Sequence, residues 1–265
     1  MKKFFQKQII SVITIAAVAF IGVQNALASG GIGWYCVHRS DHKQPMVDEA
    51  LSFIEDHGGY YIDNNHGDNC DDKVIYLTFD AGYENGNVEK ILDVMKEEKV
   101  TGAFFILGNL VEKNSDLVKR MFEEGHLVCN HTYSHKPMVN KGAAEIRAEL
   151  EKLENACKEQ TGYEMAKYYR PPEGRFDEES LRCVSDLGYK TIFWSFGYVD
   201  WANDKQPSPE KAKEKIMSNI HNGEIMLLHP TSATNAKILG DVIRALKSDG
   251  FRFGTLDELT KNAQE

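Results

Sequence analysis

From residue 73 onward, apolar runs rich in β-branched and aromatic residues alternate with amphipathic segments. Short apolar runs bounded by turn residues predict strands at 74–79, 103–106, 127–130, 168–169, 191–195, 225–228 and 251–253. Apolar residues at helical spacing predict helices at 87–98, 114–124, 143–159, 178–187, 209–220 and 236–248. Because strands that alternate with helices tend to pair in parallel, the pattern indicates an α/β fold with a parallel sheet or a (β/α) barrel.

Residues 1–28 have the features of a signal peptide. Lys2 and Lys3 precede an apolar run at 9–23, and Ala26 and Ala28 supply the small residues that signal peptidase requires. The run is short for a membrane span, which needs about 20 apolar residues, and an uncleaved anchor is the alternative. We therefore expect a secreted protein that acts in the cell wall or another extracytoplasmic space.

Residues 29–72 form an N-terminal extension rich in turn residues, with one helical spacing at 46–55, and residues 73–262 form the main domain. A net charge of −9 argues against general affinity for nucleic acid, and no obligate protein partner is evident. The five cysteines include no CxxC pair, which argues against a zinc ribbon. Export would permit a disulfide between Cys36 and Cys70.

Unusual polar residues follow the ends of the predicted strands. In a (β/α) barrel these ends share one face, where side chains from different strands converge. The candidate site therefore collects Asp80, His131, His135, Arg170, Asp200 and His229.

Two of these residues, His131 and His135, point to a metal site. Their i, i+4 spacing places both imidazoles on one side if the segment turns helically. An isolated pair of this kind is often two hydrogen-bonding surface histidines, but this pair directly follows a buried strand. Borderline ions such as Zn²⁺ suit nitrogen ligands, and Mn²⁺, Co²⁺ or Mg²⁺ are the alternatives.

The other strand-end residues each have an ordinary alternative when taken alone. Asp80 would serve equally as a turn former, and Arg170 as a cation in a rigid Pro-Pro turn. Together and in order, the motifs TFDAG at 78–82, HTYSH at 131–135, RPPEG at 170–174, DW at 200–201 and LLH at 227–229 resemble the NodB-homology polysaccharide deacetylases, family 4 of the carbohydrate esterases. The resemblance covers residues 73–259.

This resemblance implies a distorted (β/α) barrel of about seven strands and a metal-dependent hydrolase that acts on carbon–nitrogen bonds other than peptide bonds. It implies that Asp80 is the general base, oriented by Arg170, and that His229 is the general acid, tuned by Asp200. His131 and His135 would be the metal ligands. The substrate pocket would comprise the backbone N–H of Glu173 as an oxyanion donor, Trp201 and Leu227 around the acetyl group, and Tyr83.

One position departs from the family pattern. Ala81 stands where the usual motif has a second Asp, which is the third metal ligand. Alanine cannot coordinate a cation, so we expect the metal to be weakly held, unless a neighbour such as Glu84 substitutes. The departure also motivates an alternative from another class, a catalytically weakened glycan-binding protein on the same scaffold.

The run TFDAGYENG at 78–86 is similar to the delta-lactam-biosynthetic de-N-acetylases, a subgroup in which the second Asp is also absent. That similarity implies action on N-acetylmuramic acid in peptide-free peptidoglycan strands, a step towards muramic δ-lactam in spore cortex during sporulation. The location would then be the forespore intermembrane space. A deacetylase for chitin-type oligomers or xylan, with the same site, is the alternative enzyme.

Overall fold

The computed structural model describes residues 31–39 and 41–261, so the predicted signal peptide lies outside it. The strands of the structure are β1 (Ile32–Gly33), β2 (Gly59–Tyr60), β3 (Lys73–Ala81), β4 (Ala103–Ile106), β5 (Leu127–Asn130), β6 (Tyr168–Tyr169), β7 (Arg175–Phe176), β8 (Lys190–Ile192), β9 (Phe196–Gly197), β10 (Glu224–Leu228) and β11 (Phe251–Phe253). Nine of them form one curled sheet in the order β2-β8-β6-β5-β4-β3-β10-β9, with β11 also paired to β3.

All ladders of this sheet are parallel, which confirms the predicted α/β barrel-like fold. The sheet has nine strands rather than about seven. The two additional strands, β2 and β9, are only two residues long, and the apolar pattern gives no signal for such short pairings.

Helices cover the outer face of the sheet. They are α1 (Phe53–Asp56), α2 (Val88–Glu97), α3 (Gly108–Lys113), α4 (Ser115–Glu123), α5 (Ala143–Thr161), α6 (Glu178–Asp186), α7 (Pro209–Met217), α8 (Ala233–Ser248) and α9 (Leu256–Lys261). Short 3₁₀ turns occupy Glu49–Leu51, Asn64–His66 and Pro172–Gly174. None of the helices in the described residues is both long and apolar enough to cross a membrane.

Strand β3 is the centre of the fold, because it pairs with β4, β10 and β11. Its alternate side chains face opposite sides, as the pleat of a strand requires. Phe79 packs in the layer between the sheet and the helices, whereas Tyr76 lies in the apolar cluster on the other side of the sheet. Asp80 is two residues after Thr78 and four after Tyr76, so its side chain faces the same inner side of the sheet as theirs. Its position near the end of β3 places the carboxylate at the carboxyl end of the barrel.

The N-terminal extension packs onto the same sheet. β2 joins its edge beside β8, and the Trp34 indole stacks on Phe193 with ring centroids 4.6 Å apart. β1 pairs antiparallel with β7 in a separate two-stranded sheet. The helix predicted at 46–55 is wrong in its first turn, because Met46 forms an antiparallel bridge with Val37. Cys36 and Cys70 are free thiols rather than a disulfide.

Candidate active site

A cavity of about 490 Å³ lies at the carboxyl ends of the parallel strands. Eight of the ten predicted site residues line it, whereas Arg170 and Asp200 lie behind its wall and contact lining residues. The lining predicted residues are Asp80, Tyr83, His131, His135, Glu173, Trp201, Leu227 and His229.

Asp80 in the cavity wall forms an ion pair with Arg170 behind it. The Arg170 side chain is fully buried, and its Nη1 donates to Asp80 Oδ1 at 2.9 Å. Three of its other N–H groups donate to Thr78 Oγ1 at 2.9 Å, Ile192 O at 2.9 Å and Phe193 O at 3.1 Å. A planar guanidinium with several fixed acceptors has one orientation, so Arg170 fixes one oxygen of Asp80 and leaves the other towards the cavity.

The charge on Asp80 is set by two opposing effects. Burial by itself would raise the pKa of its carboxyl, but the electrostatic interactions with His131, Arg170 and His229, together with the Arg170 hydrogen bond, lower the pKa overall. Asp80 is therefore an ionised carboxylate at neutral pH, as a general base must be.

His131 and His135 lie side by side with ring centroids 5.0 Å apart. The segment is not helical, which corrects the helical expectation: Thr132 and His135 have positive φ values of 67° and 59°. A positive φ is rare for a β-branched residue, and such strain costs on the order of 1–3 kcal/mol. The Asn130 side chain supports the turn by accepting the Thr132 N–H at 2.9 Å.

The free nitrogen of His131 points towards the cavity. Its Nδ1 is 2.8 Å from the Arg170 carbonyl, which can only accept, so Nδ1 carries the proton and Nε2 has a lone pair. Nε2 lies 3.5 Å from Asp80 Oδ2. Burial, opposed by Asp80, lowers the pKa of His131 to about 4, so the imidazole stays neutral at neutral pH. Neutral imidazole is the form that binds metal.

These donors fit a divalent cation only in part. His131 and His135 offer two imidazoles, but no group of three or more His, Cys, Asp or Glu side chains within residues 31–39 and 41–261 has the arrangement of a metal site. Ala81 is fully buried in the apolar layer beneath the helices. Glu84 is no substitute ligand, because its carboxylate accepts the N–H groups of Gly86 and Val88 at the start of α2. Two imidazoles are therefore the side-chain ligands available.

The second pair is His229 and Asp200. His229 Nδ1 lies 2.7 Å from Asp200 Oδ1, and the His229 backbone N–H donates to Oδ2 at 2.8 Å. Burial lowers the pKa of His229, but the hydrogen bond and negative charge of the fully buried Asp200 exceed that effect and raise the pKa overall. With Nδ1 turned to the carboxylate, Nε2 is the nitrogen left to exchange a proton with a substrate.

Glu173 lies in a strained turn on the cavity wall. Its φ of 58° and ψ of 12° are left-handed and interrupt the turn Pro172–Gly174. Its side chain is exposed to solvent, and the residue is part of the cavity lining. Gly174 is required beside it, because a Cβ there would lie 2.8 Å from the Trp194 ring.

Three comparisons place these features among known proteins. The family model described as polysaccharide deacetylase matches residues 67–192. Over 235 residues the chain is 38% identical to the peptidoglycan-N-acetylmuramic acid deacetylase PdaA of Bacillus subtilis, covering 88% of each chain. The solved structure of PdaA, a family 4 carbohydrate esterase, superposes with a TM-score of 0.82 over 88% of this chain and 97% of that one.

This chain belongs to the polysaccharide deacetylase family.

Membership makes the protein a family 4 carbohydrate esterase, in a family of metal-dependent hydrolases of carbon–nitrogen bonds other than peptide bonds. Two further relatives differ in what their names say. A peptidoglycan-N-acetylglucosamine deacetylase of Bacillus cereus is 33% identical over 72% of this chain and 70% of its own. A Bacillus anthracis structure described as a pseudoenzyme of family 4 is 28% identical, with a TM-score of 0.67 over 76% of this chain and 68% of its own.

The deacetylase cavity also contains residues outside the predicted set. Leu107, Trp194 and Thr231 line it as well. Leu107 directly follows β4, so its position at a strand end is like that of Asp80. The strand-end pattern in the sequence selects only polar residues, and an apolar residue is therefore missed. Trp194 is separated by 5.6 Å from the Arg170 guanidinium, a contact that sequence spacing does not predict.

Proposed function

We propose that this polysaccharide deacetylase hydrolyses the acetamido group of N-acetylmuramic acid in peptidoglycan strands that lack their stem peptides. The product amine would be a step towards muramic δ-lactam in spore cortex. One observation carries the catalytic part of this proposal: the cavity has the Asp80–Arg170 pair in one part of its wall and the His229–Asp200 pair in another. The pKa of Asp80 is lowered and the pKa of His229 is raised, which suits a base and an acid working together near neutral pH.

Amide hydrolysis needs an activated water, stabilisation of the oxyanion and a proton for the departing nitrogen. A divalent cation held by His131 and His135 would supply Lewis acidity towards the water and the carbonyl. Asp80 Oδ2 accepts the proton of the attacking water, while Arg170 holds Oδ1. General-base assistance of this kind is worth about 10²–10⁴-fold in rate.

The carbonyl oxygen gains negative charge as water attacks. The backbone N–H of Glu173, which lies in a left-handed turn at the cavity wall, is the donor that we assign to this oxygen. His229 Nε2 then gives its proton to the nitrogen as the C–N bond breaks, and Asp200 stabilises the imidazolium beforehand. The products are acetate and an amine, which balance one amide and one water.

The substrate assignment rests on cavity size, exposed aromatic surface and the name of a relative. About 490 Å³ is the size of an ordinary small-ligand site, enough for one sugar and its acetyl group. Trp201, which is 55% exposed, offers a flat apolar face beside His229, with ring centroids 5.6 Å apart. PdaA is named for N-acetylmuramic acid in peptidoglycan. Export by residues 1–28 would bring the enzyme to its substrate in the cell wall or the forespore intermembrane space.

The deciding experiment is mass spectrometry of peptidoglycan fragments, with and without stem peptides, after incubation with the protein and added Zn²⁺ or Mn²⁺. Loss of one acetyl group from muramic acid in peptide-free strands supports the proposal. Loss from glucosamine, as the name of the Bacillus cereus relative would favour, moves the substrate within peptidoglycan. Loss only from chitin oligomers or xylan contradicts a peptidoglycan substrate.

Two variants test the mechanism on the same substrate. Asp80→Asn and His229→Ala should each abolish deacetylation while leaving the circular dichroism spectrum unchanged. Asn64→Asp is a suitable control, because Asn64 is exposed in the turn Asn64–His66 and does not line the catalytic cavity. Full activity in either catalytic variant would overturn the roles assigned to these residues.

A glycan-binding protein is the second candidate, favoured by Ala81 and by the likeness to a family 4 pseudoenzyme. Zn²⁺ binding separates the two candidates, since an enzyme needs the cation and a lectin-like protein does not. Calorimetry with Zn²⁺ should give weak binding that His131→Ala and His135→Ala abolish. Tight binding of peptide-free strands without acetyl release at any metal concentration would instead establish the binding protein.

A further inference from the structure

Behind the acid pair, a buried amide contacts both of its members. Asn235 lies in the first turn of α8 and is 1% exposed. Its Nδ2 donates to Asp200 Oδ2 at 2.6 Å and to the His229 carbonyl at 3.1 Å. The amide therefore joins the carboxylate and the backbone of the histidine that the carboxylate contacts.

The orientation of this amide follows from its neighbours. Asp200 Oδ2 and the His229 carbonyl can only accept hydrogen bonds, so they must face the NH₂ end of the side chain. The oxygen Oδ1 then faces the Tyr198 hydroxyl, which donates to it. Tyr198 is half-buried, and its hydroxyl holds the end of the amide opposite Asp200.

Asn235 also ties the acid pair to a rigid element. The Ser232 hydroxyl caps α8 by accepting the Asn235 backbone N–H at 3.1 Å, and the Ser232 N–H donates to the His229 carbonyl at 3.1 Å. Asp200 itself lies in a loop three residues after β9. Without the amide, the buried carboxylate would have only His229 to hold it among the contacts described above.

We propose that Asn235, held by Tyr198, is a positioning residue that keeps Asp200 against His229, and so sets the general acid for the reaction. The inference rests on the proposed function of His229. Asn235 does not line the cavity and touches no substrate, so its effect is on turnover rather than on binding. The groups that act on His229 from other elements are Asp80 and Arg170, and neither contacts Asn235.

Asn235→Leu removes both donors and is the first test. We expect kcat to fall about 10- to 100-fold, the range for losing a hydrogen bond to a charged group, with KM changed by less than about twofold. Tyr198→Phe should lower kcat in the same direction but by less, because the amide remains and only its anchor is lost. Unchanged kcat in Asn235→Leu, or a loss confined to KM, would overturn the proposal.

Asn235→Asp preserves the shape and gives a sharper test. Two carboxyls at this distance share one proton, and only the protonated form can donate to Asp200. The ratio of the variant kcat to the wild-type kcat should therefore fall as pH rises. The same change at the exposed Asn64 should give a ratio that does not depend on pH. A constant ratio for Asn235→Asp would contradict a positioning role.

Nuclear magnetic resonance separates this inference from the proposed function. Because burial alone lowers the pKa of His229, loss of a correctly placed Asp200 in Asn235→Leu should lower that pKa relative to the wild type. The titration needs no substrate, so it remains decisive even if no acetyl release is found. An identical His229 titration in both proteins would refute the inference, whatever the activity.

Discussion

Replacing Arg170 by Met should destabilise the protein strongly. The substitution leaves an aspartate, two backbone carbonyls and a hydroxyl without their donor inside the barrel. Removing one partner of a buried ion pair typically costs about 3–5 kcal/mol. For a chain of this size each 1 kcal/mol lowers the melting temperature by roughly 2–4 °C, so we expect a fall of about 10 °C.

The stabilities of the wild type and of Arg170→Met should change with pH in opposite directions. In the wild type the lowered pKa of Asp80 means that its carboxylate stabilises the fold above about pH 4, the ordinary Asp pKa, and that this stabilisation is lost as pH falls. Without Arg170, burial dominates and raises the pKa of Asp80. The variant then loses stability as pH rises from about 4 through the raised value, so its deficit grows with pH.

Urea denaturation followed by circular dichroism, in the presence of a chelator, measures both effects at about pH 5 and about pH 8. Arg170→Lys keeps the charge but not the planar fork, and should lie between the wild type and Arg170→Met. Adding Asp80→Asn to Arg170→Met should restore part of the stability without restoring activity. The matched control is Arg182→Met, since Arg182 pairs with Glu179 and Asp186 on the surface, and its midpoint should not change. A deficit below about 1 kcal/mol, or one equal at both pH values, would refute the reasoning.

Three further predictions address the acid, the metal and a buried carboxyl outside the site. Asp200→Asn removes the charge that raises the pKa of His229, so kcat should fall about 10²–10⁴-fold and the alkaline limb of its pH profile should move to lower pH. An alkaline limb at the wild-type pH would contradict this role of Asp200. Ala81→Asp places a carboxylate in the apolar layer, so differential scanning fluorimetry without Zn²⁺ should give a lower melting temperature than the wild type. Adding Zn²⁺ should raise the melting temperature of the variant more than that of the wild type. Equal rises in the two proteins would argue against a third metal ligand at this position. Burial raises the pKa of Glu224 well above its usual value, so stability falls as pH rises through the range where the unfolded chain ionises. Glu224→Gln removes the charge and can donate towards His221 Nε2, so it should raise the melting temperature at about pH 8. The rise should be about 2–4 °C for each 1 kcal/mol added to the free energy of unfolding. An unchanged melting temperature would contradict the argument from burial.

The sequence by itself determined the fold class and the face on which to seek the chemistry. Apolar periodicity and turn residues are local signals, and they locate β3, β4, β5 and β10 within a residue or two. Because parallel strands must end on one face, Asp80, His131 and His229 had to meet once the fold class was known. Resemblance of the motifs to a family then supplied the roles proposed for them.

Only the tertiary structure decided how those residues are held. The donors of Arg170 reach back to Thr78 and Asp80 and forward to Ile192 and Phe193, a set that no spacing along the chain predicts. The contact of Asn235 with Asp200 joins residues 35 apart through a helix start and a loop. Such contacts depend on how separate elements pack, whereas sequence patterns report only which face of each element is buried.

The same limit explains the two local errors. The segment 46–55 begins with a bridge from Met46 to Val37 instead of a helical turn, because pairing across nine residues outweighs a short helical spacing. The segment 131–135 adopts left-handed φ at Thr132 and His135, which the adjoining Asn130 side chain stabilises and an i, i+4 pattern does not reveal. Strain of this kind persists only where the surrounding packing fixes it, so the folded chain rather than the sequence pattern determines it.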